Sequence, residues 1–73
     1  MKLYWACAKY IDTNGREDSL FTYNSSSSLA EAQNVIKVWA DEYKFNIIRA
    51  WVDVYEHGLK VETIHCTSND CLV

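Results

Sequence analysis

His57, His65, Cys66 and Cys71 are the residues whose types could bind a transition metal or supply a nucleophile with its base. Zinc needs such groups gathered tetrahedrally, and the chain does not gather them. His57 and His65 stand at opposite ends of one predicted strand, eight residues and so about 26 Å apart. Cys66 and Cys71 lack the Cys-x-x-Cys spacing of zinc knuckles. Cys66 beside His65 is no nucleophile and base pair either, because neighbours on a strand point to opposite faces. The carboxylates of Glu17, Asp18, Asp41, Glu42, Asp53, Glu56, Glu62 and Asp70 are scattered over turns, strands and a helix face, where solvation explains them better than acid and base work. Phosphate cradles are built from glycine-rich turns, and both glycines, Gly15 and Gly58, fall in ordinary hairpin turns. We therefore expect no enzyme, no cofactor, no bound metal and no small-molecule substrate.

A different chemistry, that of protein contact, is carried by Trp5, Lys9, Arg49, Trp51 and Tyr55. Trp, Tyr and Arg are the residue types that dominate interface hot spots, since each combines a large apolar area with a polar tip. Whether they can act together depends on the elements that present them.

The chain has 73 residues, enough for one domain with a small core that a second copy or a partner would help to shield. With 49% apolar and 14% aromatic residues it is too hydrophobic to stay disordered. Seven Lys and Arg stand against ten Asp and Glu, a formal net charge of −3, which disfavours non-specific nucleic-acid binding. No apolar run approaches the ~20 residues that span a bilayer, and the N-terminus lacks a signal-peptide pattern, so a cytoplasmic protein without membrane contact is expected. Three cysteines in such a setting read as reduced thiols, although a Cys66 to Cys71 bridge or a shared metal stays open.

Leu3 to Ile11 and Leu20 to Tyr23 read as strands, joined by a hairpin whose tip is the Asn14-Gly15 pair. Ser28-Leu29-Ala30-Glu31 is a capping box, and Leu29, Ala32, Ile36, Trp39 and Tyr43 then form one apolar stripe of a helix running to about Lys44. Ile47 to Tyr55 and Leu59 to Cys66 form a second hairpin around His57-Gly58. The organisation is thus a single domain over 1–66 and a flexible tail over 67–73. Its fold class is α+β: ββαββ, with a four-stranded antiparallel sheet of order 2-1-3-4 and the helix on one face.

One helix covers one face of that sheet, and side-chain alternation decides what the other face shows. In strand three Ile48, Ala50, Val52 and Val54 suit the helix, which sends Ile47, Arg49, Trp51, Asp53 and Tyr55 to the open side. In strand one Tyr4, Ala6, Ala8 and Tyr10 are placed beneath the helix, because alanines permit close approach and the alternative buries Lys9. Leu3, Trp5, Cys7, Lys9 and Ile11 then join the open face. The opposite register of strand one would make Trp5 core.

The function expected from this pattern is a small non-enzymatic protein-interaction module, a homodimer or the partner of another protein through the open face. By analogy of size and class alone, small acidic α+β proteins of phages, mobile elements or gut bacteria serve as adaptors or inhibitors, including inhibitors of CRISPR effectors. The alternative is a single-stranded nucleic-acid binder that stacks bases on the same rings.

Overall fold

A computed structural model describes residues 1–66. The elements are β1 (Lys2–Ile11), β2 (Glu17–Phe21), α1 (Leu29–Asp41), β3 (Asn46–Glu56) and β4 (Leu59–Cys66). The strands form one antiparallel sheet in the order β2-β1-β3-β4, with α1 packed on β1 and β3. Fold class, element order and strand order are those expected from the sequence. The tail over 67–73, and with it any pairing or metal shared by Cys66 and Cys71, lies outside the described residues.

The turns form for local reasons. The Asp12 carboxylate accepts the backbone N–H groups of Asn14 (2.8 Å) and Arg16 (2.9 Å), while Gly15 takes φ 78, the left-handed conformation that glycine adopts without cost. This compact turn lets pairing resume at Glu17, so β2 is Glu17–Phe21 rather than the expected Leu20 to Tyr23. Tyr23 leaves the sheet and is 97% exposed. The second hairpin turns on His57 and Gly58, both with positive φ, the signature of the two-residue turn that matches strand twist.

The helix starts on Ser28, whose hydroxyl accepts Glu31 N–H at 3.2 Å. Glu31 returns the contact one residue earlier than a standard capping box, accepting from the Ser27 N–H and hydroxyl at 3.1 Å each. The end differs from expectation: α1 stops at Asp41, and Lys44 adopts φ 59. There the Tyr43 N–H reaches back to Val38 O and the Phe45 N–H to Trp39 O, so the last turn widens and unwinds. Tyr43, expected on the buried stripe, is consequently exposed, and Phe45 instead lies 4.8 Å from the Tyr10 ring.

Between helix and sheet the buried cluster is Ala6, Ala8, Ala32, Ile36, Ala50 and Val52, ringed by Tyr4, Leu20, Val35, Trp39, Ile47 and Ile64 among others. Ala8 pairs with Ala50 in the middle of the sheet, and neither has a side chain long enough to hold the helix off. The register of β1 is therefore the one with Tyr4, Ala6 and Ala8 under the helix, and Trp5 is not core. One expectation for β3 is corrected. The pairing slips where Lys9↔Arg49 is followed by Tyr10↔Ile47, which leaves Ile48 as an extra residue. This bulge reverses the alternation, so Ile47 packs on the core and Ile48, expected beneath the helix, is exposed.

Candidate protein-interaction face

The face opposite α1 is built as rows across the strands. The central row is Phe21, Cys7, Trp51 and His65. On one side of it lie Ser19, Lys9 and Arg49; on the other lie Trp5, Asp53 and Thr63, followed by Leu3, Tyr55 and Lys60. All five residues singled out in the sequence, Trp5, Lys9, Arg49, Trp51 and Tyr55, stand on this face, so the structure brings them together. Leu3 and Phe21 add exposed apolar area, with Phe21 62% exposed. A second slip, where Val54↔Glu62 is followed by Tyr55↔Lys60, leaves Val61 as an extra residue and brings Lys60 beside Tyr55.

Two shallow depressions adjoin here. One, of about 480 Å³, is lined by Leu3, Trp5, Phe21 and Tyr55 with Asp53 as its charged group. The other, of about 310 Å³, is lined by Trp51 and His65 with Lys9, Arg49 and Lys60 around them and Asp53 again at its border. Asp53 is thus the hinge between an aromatic hollow and a basic one. The Arg49 guanidinium leans over the Trp51 ring, 5.9 Å from its centroid. Lys9 makes an exposed ion pair with Glu17 at 3.6 Å. The face carries Lys9, Arg49 and Lys60 against Asp53 and Glu17, an excess of cations in a chain of net charge −3.

Asp53 is the residue of this face that the candidate set lacks. Its Oδ1 accepts the Thr63 hydroxyl at 2.9 Å, and its Oδ2 accepts the Cys7 thiol at 3.7 Å. Alternation along β3 already sends it to the open face; the register then sets it between Trp5 and Thr63. Cys7 is buried beneath its larger neighbours, and burial first, then the Asp53 charge and hydrogen bond, pushes its thiol up to about 12, with Lys60 acting the other way. A thiol so held is a packed hydrogen-bond donor, not a nucleophile.

The other candidates stay apart. His57 is in the β3–β4 turn, His65 is on the open face, and no group of three or more His, Cys, Asp or Glu side chains among the described residues could hold a metal ion. No helix among them is long and apolar enough to cross a membrane. The chain matches no family model, no curated protein and no solved structure.

Proposed function

We infer that this chain is a small non-enzymatic protein-interaction module whose contact surface is the open sheet face. The observation that carries this reading is the grouping of Trp5, Trp51 and Tyr55 with exposed Leu3 and Phe21 around a half-buried Asp53, on the side of the sheet that the helix leaves uncovered. A sheet face serving only solvation would alternate to polar residues here. An aromatic face with an off-centre arginine and carboxylate has the composition of an interface core instead. Self-association is the first form we propose, because two copies packed face to face hide both patches and shield a domain with a small core. An adaptor or inhibitor role, acting on another protein through the same surface, fits the same face.

The test is Trp51→Glu, which places a charge in the central row without touching the helix-side core. Association measured by light scattering over a dilution series should be lost while circular dichroism stays native. A dimer whose mass the substitution leaves unchanged would remove the open face as the contact surface.

The basic hollow around Trp51 favours one second reading, a single-stranded nucleic-acid site in which a base stacks on Trp51 while Lys9, Arg49 and Lys60 meet phosphates. It requires oligonucleotide binding that weakens steeply with salt and with Arg49→Ala. The Asp53 carboxylate at the border of that hollow opposes it.

A further inference from the structure

Neither Arg49 nor Asp53 has an ion-pair partner among the described residues. Among the described residues the salt bridge formed is Lys9 with Glu17, and Asp53 is held only by the neutral Thr63 hydroxyl and Cys7 thiol. A half-buried carboxylate in an aromatic hollow is poorly solvated and gains from a cation; a guanidinium resting on an indole gains from an anion. The two residues lie four apart on one strand, about 13 Å, with Trp51 midway. They are too far apart to satisfy each other.

Their arrangement has a symmetry that β1 repeats. Arg49 pairs with Lys9, Trp51 with Cys7, and Asp53 with Trp5. A two-fold axis lying in the plane of the face and running across the strands along the Cys7–Trp51 row would reverse strand direction in a second copy. It would exchange the cationic row for the Asp53 row. The geometry points to a homodimer in this register: Arg49 of each copy enters the hollow of the other and meets its Asp53, Lys9 lies over the other copy's Trp5, and the two Trp51 rings meet at the axis. Sheets packed face to face cross at about 30°, a small enough angle to keep these rows matched near the axis. The occupant is a second copy because the face is complementary to its own reverse along the three central rows: Arg49 finds Asp53, Lys9 finds the Trp5 ring, and Trp51 finds Trp51. The Lys9–Glu17 pair is exposed and weak, so it does not hold Lys9 back.

This inference rests on the open-face reading and fails separately from it. Arg49→Asp alone sets two carboxylates against each other twice in the dimer, and Asp53→Arg alone sets two guanidinium groups together twice. Each should weaken self-association on the order of a hundredfold. An equimolar mixture of the two variants should recover it, as a heterodimer in which both contacts are again Arg with Asp. Sedimentation equilibrium on each variant and on the mixture reads this directly. In the wild-type protein, NOEs between the Lys9 side chain and the Trp5 indole give a second readout independent of whether Asp53→Arg folds. These residues are about 13 Å apart within one copy and touch only between copies.

Recovery in the mixture, or the Lys9 to Trp5 NOE, establishes the register. A dimer that Trp51→Glu dissociates, but that shows neither, overturns this register and leaves the open face as the contact surface. A wild-type chain that stays monomeric overturns the homodimer and leaves the face to another protein. A dimer indifferent to Trp51→Glu overturns both.

Discussion

Thr63 Oγ donates a 2.9 Å hydrogen bond to Asp53 Oδ1 across the β3–β4 pair, tying the edge strand to the one carboxylate embedded among the rings of the open face. The bond does two things: it fixes the rotamer of Asp53, and it supplies part of the solvation that neighbouring Trp5 and Tyr55 exclude.

Thr63→Val keeps the branched shape and removes the donor. Stability measured by urea unfolding should fall by about 1 kcal/mol, the scale of a hydrogen bond to a charged group that water can partly replace. Because Asp53 would also lose its anchor, dimer affinity should fall with it. An unchanged unfolding midpoint would show that Thr63 contributes only packing.

Ala8 and Ala50 face each other beneath the helix, both fully buried. Ala50→Leu has no free volume to occupy, so the helix must move outward or the side chain must leave its preferred rotamer. A loss of about 1–3 kcal/mol in thermal or chemical unfolding is expected. Ile36→Ala, on the facing side of the same cluster, should cost about 2–5 kcal/mol through the cavity it leaves.

Ser28 caps α1 through its hydroxyl, and among the described residues no other side chain accepts the Glu31 N–H. Ser28→Ala should destabilise the fold by about 1 kcal/mol, and Ser28→Asp should restore most of it because a carboxylate both accepts that N–H and suits the helix N-terminus. Equal stability of the alanine and aspartate variants in urea would contradict this role.

Cys7 sets a pH dependence. Its thiol ionises at an ordinary value of 9.0 in the unfolded chain and at about 12 when folded, so between those values the unfolded state releases a proton that the native state keeps. The native state binds more protons, and stability therefore decreases as pH rises through that window. Tyr10, whose phenol is also raised by burial and then by Asp18 and Asp12, acts in the same direction. Cys7→Ala should flatten the decline measured by urea unfolding from pH 8 upward. In the folded protein, Cys7 should also resist thiol alkylation at pH 8, where its thiolate is scarce.

The element order, both hairpin turns and the helix start were legible in the chain because each rests on a few adjacent residues: Asn14-Gly15, His57-Gly58 and Ser28 with Glu31. The five aromatic and basic residues of the open face were legible because alternation assigns a whole strand once one residue is placed. Other features depend on contacts between distant residues. The bulge at Ile48 exists because β1 and β3 slip by one residue past Lys9 and Arg49, and this exchanges Ile47 for Ile48 in the core although both are isoleucine. Alternation put Asp53 on the open face, but its neighbours Trp5 and Thr63 came only from pairing, and the early end of α1 left Tyr43 exposed. Local propensity and periodicity decide which residues turn, cap and alternate. Register, bulges and the partners of a buried charge come from pairing across the sheet and packing beneath the helix, which no single segment encodes.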